Sequence, residues 1–423
     1  MQDIMNDPAY FIQKRAAVFQ NGETMRRPAK QGICTERQKT LDKRKRGMYT
    51  CNRQTFHQNT NKNLGQILLE SGEMNNKISY DRAIRLLKKS NVSHKTIELS
   101  PDWRIIVSQY GGRILGPFRG DDGESLLWMS DVWQDENVFS DFIRSRSWNV
   151  GGDRLWIEPE LPFFTTEKAR FHDTYVVQST IDPGAYAMSD VDGGVRLEQE
   201  VHAKVFEMPV TERRFRMQRT VQRAANPFSG AAKRLGIDDC FGLAQTVELE
   251  DLDPDSPTYL EAWLLSQVNP RGELIVPFTG KALDYLNYYE PIPGDMVRVE
   301  GNKLLVRVTG DVRYKLGFPS LNTTGRSAYI GSLTDGTPYL FVRCFYNDPS
   351  SVYCGAPYSE PEVYGHSLYL YNDPGSQGGF AEFENCGMTI GGDTGLRRSY
   401  DRVCYYFFTG DRQSLLHLAD EIL

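Results

Sequence analysis

The sequence predicts a mostly β protein, a large antiparallel sandwich preceded by a short helix and a basic tail. Three observations carry this. Apolar runs punctuated by Gly, Pro, Asp and Asn, among them WRIIVSQY, GVRLEQEVHAKVFEMPV, YLEAWLLSQV, PYLFVRCFY and DRVCYYFF, follow one another from about residue 96 to the end. No repeat of about 20 to 50 residues recurs, which argues against a propeller or solenoid. No apolar run reaches the roughly 18 residues that a bilayer-crossing helix needs, so no membrane partner is expected.

In chain order, residues 1–73 are rich in Gln, Asn, Lys, Arg and Thr with no sustained hydrophobic period, and they are expected to be disordered. KRKR at 43–46 reads as a nucleic-acid arm or a localisation signal, or else as a solvated tail or as sequence upstream of an alternative start at Met48 or Met74. SYDRAIRLLKKS places Ile84, Leu86 and Leu87 at helical spacing behind a Ser79 cap. Residues 74–423 then form one sandwich domain. Within it, MVRVEGNKLLVRVTG alternates on both sides of Glu-Gly-Asn, a hairpin signal. The terminal DRQSLLHLADEI reads as a helix capped by Asp411.

The formal net charge of −6 conceals an asymmetry. Residues 1–65 carry 13 Lys/Arg against 5 Asp/Glu, or +8, which leaves −14 for the remainder. A body so acidic repels phosphates, so a neutral ligand such as a sugar suits it better than nucleic acid. The seven cysteines are an odd count without a C-x-x-C pair, which excludes zinc-ribbon and thioredoxin readings. Together with an N-terminus lacking an apolar signal-peptide stretch, they suggest reduced thiols and a cytoplasmic location.

Three places carry candidate chemistry. The first is GGDRLWIEPE at 151–160. Its glycines admit backbone conformations closed to other residues and let a ligand approach the main chain. Asp153, Arg154, Trp156, Glu158 and Glu160 supply charges, a flat indole and hydroxyl acceptors, the ingredients of a carbohydrate pocket. A structural bend with a surface ion pair is the competing reading. The second is GFAEFENCG, where alternation sets Glu382 and Glu384 on one strand face. A carboxylate desolvated there has a raised pKa and can serve as a general base; a solvent-facing pair is the alternative. The third is the histidines. His366, beginning HSLYLYND near those glutamates, is the preferred acid and His172 the second, while His202 in an alternating strand reads as structural.

Other motifs are absent or bland. No Walker A loop, H-E-x-x-H, G-x-S-x-G or calcium loop occurs, and no metal or organic cofactor is expected. RRFRMQRTVQR, with Arg213, Arg214, Arg216, Arg219 and Arg223, suggests a strand with one basic face rather than a polyanion site.

With these stretches in place, the chain resembles the galactose-mutarotase-like (aldose 1-epimerase-like) superfamily, in an uncharacterised branch. The landmarks occur in the same order: QYGGRILGPF with Arg113, GGDRLWIEPE, EAWLLSQVNPRGELIVPF, YKLGFPS and FAEFENCG, spanning roughly residues 75–423. The resemblance implies a β-supersandwich with a sugar-sized cleft on its concave face. It implies ring opening by a Glu base, carried onto Glu384 or Glu382, and a His acid. The latter does not transfer, because Asn149-Val150-Gly151-Gly152 stands where a mutarotase shows His-Gly-Gly. Arg113, Asp153, Arg154, Trp156, Glu158 and Glu160 are the expected sugar contacts. The expected partner is a sugar or oligosaccharide, handled by an epimerase, a polysaccharide lyase or hydrolase, or a non-catalytic binding module. A further reading makes the basic tail the functional part and the sandwich its scaffold.

Overall fold

A computed structural model describes residues 78–280 and 284–423. The expected disordered tail, the KRKR run and the proposed boundary at residue 73 lie outside the described residues. Twenty strands follow in order: β1 (His94–Glu98), β2 (Trp103–Ser108), β3 (Arg113–Arg119), β4 (Asp153–Glu158), β5 (Ala187–Val191), β6 (Gly194–Val205), β7 (Thr211–Ala224), β8 (Asp239–Asp251), β9 (Tyr259–Val268), β10 (Gly272–Pro277), β11 (Leu286–Asn287), β12 (Val297–Glu300), β13 (Lys303–Val308), β14 (Tyr314–Pro319), β15 (Arg326–Ser332), β16 (Pro338–Phe345), β17 (His366–Asn372), β18 (Ala381–Cys386), β19 (Ile390–Gly391) and β20 (Arg398–Thr409). Among the described residues six α-helices join them: α1 (Tyr80–Lys89), α2 (Glu136–Arg144), α3 (Glu160–Phe164), α4 (Phe171–Thr174), α5 (Ser229–Arg234) and α6 (Arg412–Ile422).

The strands form two ten-stranded antiparallel sheets. The first runs β1-β2-β3-β4-β9-β18-β17-β14-β11 with β19 on β9, and the second β12-β13-β10-β15-β16-β20-β8-β7-β6-β5. The mostly β sandwich predicted from punctuated apolar runs is therefore the fold. Period-two patterning does most of the specification: in β6 the even-face side chains Glu198, Glu200 and His202 face outward while Leu197, Val201 and Ala203 join the core between the sheets.

Local signals hold at both ends. Ser79 sits in extended conformation and its side chain accepts the Arg82 N–H, capping α1, whose Ala83, Leu86 and Leu87 are buried. Asp411 accepts the Ser414 N–H at the start of α6, which buries Leu415, Leu418, Ala419 and Ile422 over Ile330, Leu340 and Phe408 of the second sheet. The hairpin also forms, with Glu300 opposite Lys303 and Gly301 at φ 60°.

One strand corrects its prediction. The arginines of β7 do not share a face: Arg214 is half exposed, whereas Arg213 and Arg219 are fully buried on the apolar face. Arg213 pairs with Asp251 at 3.0 Å and Arg219 with Asp153, so inward acids compensate the inward guanidinia.

Among the described residues no helix is long and apolar enough to cross a membrane. Cys240, Cys344, Cys354, Cys386 and Cys404 are free thiols.

Candidate functional site

The site is built on the outward face of the first sheet, where five neighbouring strands put chemistry-bearing side chains in register. On β4, Arg154, Trp156 and Glu158 alternate outward and stand opposite Leu265, Trp263 and Glu261 of β9. On β18, Glu382 and Glu384 stand opposite Gln267 and Leu265. Tyr371 and Tyr369 of β17 continue the same two rows, and Lys315 of β14 lies opposite Tyr371. The period-two reading of Glu382 and Glu384 thus places both on this face.

Two ion pairs organise the floor. Arg154 Nη2 meets Glu382 Oε1 at 2.7 Å, and the guanidinium lies 4.1 Å from the Trp156 ring and 5.1 Å from the Trp148 ring. Its Nε and Nη1 are buried without a hydrogen-bond partner. Lys315 Nζ meets Glu160 Oε2 at 2.8 Å and Glu158 Oε1 at 3.9 Å, and it lies 4.4 Å from the Trp263 ring. Glu384 accepts the Trp263 indole N–H on Oε2 at 2.9 Å and has no partner on Oε1. Gln267 bridges the Glu382 carboxylate and the Asn149 amide.

Burial sets the proton affinities. It pushes the Glu384 carboxyl up to about 8, with Lys315 opposing and Glu382 adding to the rise. Burial likewise pushes Glu261 up to about 7 and Glu158 well above the carboxylate range. Burial pulls the Lys315 ammonium down, but Glu160, Glu384 and Glu158 together outweigh it and raise its pKa overall. Solvent exclusion lowers His366 to about 4, so its imidazole is neutral at neutral pH.

The walls come from segments outside the central strands. Trp148, Tyr175, Tyr289, Tyr358 and Tyr371 are half-buried and surround the charged floor. Phe164 of α3 stacks on Trp156 at 4.9 Å and on Tyr175 at 5.8 Å; Phe171 of α4 stacks on Tyr358 at 5.3 Å; and Tyr289 lies 6.0 Å from Tyr371. The floor itself is covered, since Arg154 is 1% exposed, Glu382 6% and Glu384 0%. A ligand therefore reaches it only where these aromatic side chains yield. A cleft of about 320 Å³ opens elsewhere, on the outer face of the second sheet beside Glu198, Arg216, Glu250 and Tyr400.

Several expected residues sit differently. Asp153 is a correction: it points between the sheets, where Arg219 and Gln245 meet one oxygen and Ser266 and Tyr405 donate to the other at 2.6 and 2.8 Å. Adjacent strand residues face opposite ways, so Asp153 and Arg154 cannot line one pocket. Trp156 is a second correction, because the Arg154 guanidinium and the Phe164 ring both pack on it and it is 2% exposed, leaving Trp148 as the half-buried indole. The glycine pair is a third. A Cβ at Gly151 would lie 2.6 Å from the Met129 Cα, and one at Gly152 2.4 Å from the Ile114 carbonyl oxygen, so neighbouring backbone, not a ligand, demands them.

Arg113 is fully buried and donates to Asp182 at 2.6 Å and to the Trp148 main-chain carbonyl. Glu158 lies under Gly355 and, like Glu384, is 0% exposed. His366 bonds Tyr288 at 3.2 Å within a buried tyrosine group. His172 is on the rim, 4.9 Å from Tyr289 and 4.0 Å from Glu290, and burial, aided by Arg313, lowers its pKa.

Sequence reasoning missed Lys315, Trp148, Trp263, Tyr289 and Tyr371. A signal for three of them exists in the alternation of E-A-W-L-L-S-Q, Y-K-L-G and L-Y-L-Y, where polar or aromatic residues recur every second position on otherwise apolar strands.

No protein-family model matches the chain, and no curated protein matches it. Among solved structures, the 4-alpha-glucanotransferase from Thermococcus litoralis is similar over 76% of this chain at 9% identity, with a TM-score of 0.28. The chain spans 40% of that protein's length, and a likeness this weak carries no argument.

Proposed function

We propose that the chain is a carbohydrate-handling protein, and that Glu384 exchanges the proton that opens a sugar ring. One observation carries the reading. Arg154, Glu382, Glu384, Lys315 and Glu160 gather on one sheet face beneath half-exposed Trp148, Tyr175, Tyr289, Tyr358 and Tyr371. Flat rings offer C–H stacking surface, while charged floor groups offer donors and acceptors to hydroxyls. The order of motifs resembling the galactose-mutarotase-like superfamily supports the same class.

A proton held near neutrality suits the chemistry. The protonated Glu384 carboxyl gives its proton to the ring oxygen while Glu382 takes the proton of the anomeric hydroxyl. The C1–O5 bond breaks as the C1 carbonyl forms, and reclosure on either carbonyl face exchanges the anomers. No histidine acid is needed in this scheme, which accommodates Asn149 where the mutarotase histidine would stand.

Polarimetry on a panel of aldoses tests this. Glu384→Gln is expected to slow anomer exchange at least about 100-fold. Unchanged rates in that variant remove the role from Glu384. A second reading, a non-catalytic sugar-binding module, is favoured by the complete burial of Glu384 and its bond to Trp263. It predicts saccharide affinity that falls in Trp148→Ala, with no turnover of any aldose.

A further inference from the structure

We infer that Cys344 and Cys404 form an oxidisable pair, closed by a small-molecule disulfide into a reversible cross-strand bond between β16 and β20. Strand register alone places the two thiols for this. Cys344 of β16 stands directly opposite Cys404 of β20, and antiparallel pairing turns opposed side chains to the same face of the sheet. That face is the outer one, since Leu340, Val342, Tyr406 and Phe408, which share the alternation of the two cysteines, pack with Leu415 and Leu418 of α6. Both cysteines lie against this cluster as free, half-buried thiols, so small molecules can reach them.

The ladder also fixes their spacing. The Gly410 N–H donates to the Pro338 carbonyl, and hydrogen-bonded and non-bonded pairs alternate along antiparallel strands, so the pair at 344 and 404 is of the hydrogen-bonded kind. Phe345 agrees with that phase, because its N–H turns the other way, to the Gly325 carbonyl at 2.9 Å. Such pairs hold their Cα atoms about 5.5 Å apart, inside the roughly 4.4–6.8 Å that a disulfide spans. Their Cβ atoms are also about 5.5 Å apart, wider than the roughly 3.5–4.5 Å of a relaxed disulfide. A bond closed here therefore pulls on both strands and is readily reduced.

The neighbours set an order of events. Arg326 of β15 stands opposite Cys344 and completes the row Arg326, Cys344, Cys404. Burial nevertheless pushes the Cys344 thiol up to about 11, against the pull of Arg326. A thiol that holds its proton so firmly is a poor first nucleophile, so Cys404 opens the exchange. Its thiolate attacks one sulfur of the small disulfide and expels one thiol. Cys344 then attacks the Cys404 sulfur and expels the second, its position on the adjacent strand making up for its small thiolate fraction. The cysteines are oxidised to the disulfide, and their two protons and two electrons leave on the two small thiols. Other described thiols lack this placement: Cys354 and Cys386 are closed to solvent, and Cys240 stands opposite Phe408.

Peptide mapping by mass spectrometry tests this on the native full chain, incubated with oxidised glutathione at about pH 8 and quenched with acid. Cys344 and Cys404 are expected to be recovered joined, about 2 Da lighter than the two reduced peptides together, and excess reduced glutathione should separate them. Cys344→Ser should stop at the mixed disulfide, a gain of about 305 Da on Cys404, while Cys404→Ser should leave Cys344 unmodified. Unmodified thiols at both positions, or separate glutathione adducts on both without a link, overturn the pair; this reading comes from the native chain and stands even where a serine variant fails to fold. A link that resists reduced glutathione overturns its reversibility, and an adduct on Cys344 in Cys404→Ser overturns the order of attack.

Discussion

Two buried charged networks lie back to back across the first sheet, and their difference separates architecture from chemistry. Between the sheets, both Asp153 oxygens are satisfied by Arg219, Gln245, Ser266 and Tyr405, and Arg343 spans from the second sheet to Ser266 and to Asn385 at 3.0 Å. On the outward face, Glu158, Glu261 and Glu384 each keep an unpaired oxygen and Arg154 keeps two unpaired nitrogens. In the network between the sheets the carboxylate is saturated and only guanidinium Nε atoms, those of Arg219 and Arg343, lack a partner, which fixes one arrangement of two sheets; on the outward face carboxyl oxygens themselves lack one.

The largest effect expected from breaking this contrast is at Asp153. Asp153→Ala strands the Arg219 and Arg343 guanidinia in a dry interior and is expected to cost about 3–5 kcal/mol in chemical denaturation. A loss below about 1 kcal/mol would show that the inter-sheet network is not what locks the sheets.

Next in size is the pH dependence, which belongs to the outward network. Glu261 and Glu384 hold their protons to about 7 and about 8 when folded, against 4.5 when unfolded. Their folded pKa values are raised, so the native chain binds more protons than the unfolded one through that interval. The stability they contribute is complete below about pH 4.5 and is lost as pH rises through 7 to 8. Thermal melting followed from pH 5 to pH 9 is expected to show a falling midpoint, and a midpoint that climbs across that range contradicts the assigned shifts.

Glu384→Gln should leave stability near pH 4 within about 1 kcal/mol, because an amide oxygen still accepts the Trp263 N–H and both side chains are neutral there, and should raise it above the native value at pH 7, where the native carboxyl must take up a proton on folding and the amide need not. It should also shallow the alkaline decline. A loss of several kcal/mol would make Glu384 a structural member like Asp153 and withdraw it from chemistry.

How much of this was legible follows from periodicity. Alternation fixes which residues share a strand face, so the pairing of Glu382 with Glu384 was readable from GFAEFENCG. The same rule assigns Asp153 and Arg154 to opposite faces, and grouping them by sequence proximity ignored it. The arginines of β7 show a second limit, because guanidinia at 213 and 219 face inward only if acids from distant strands, Asp251 and Asp153, meet them. Alternation carries no information about such partners. The rim was the least legible part, since Trp148, Tyr175, Tyr289 and Tyr358 come from four connecting segments that converge only after the sheets form.

The smallest effect is expected on the third charged surface, the outer face of the second sheet. There Arg216 bonds Glu250 at 2.5 Å and neighbours Glu198 and Glu200 in a ladder as dense in charge as either buried network. Arg216 is 38% exposed, so water solvates each partner before and after folding, and holding two long side chains in one geometry consumes much of the Coulomb gain. Arg216→Ala is expected to change stability by about 0.5 kcal/mol or less, and by still less in 0.5 M salt, where screening shortens the reach of exposed charges. A loss approaching that of Asp153→Ala would mean that charge density, rather than exclusion from water and completeness of hydrogen bonding, governs what these networks do.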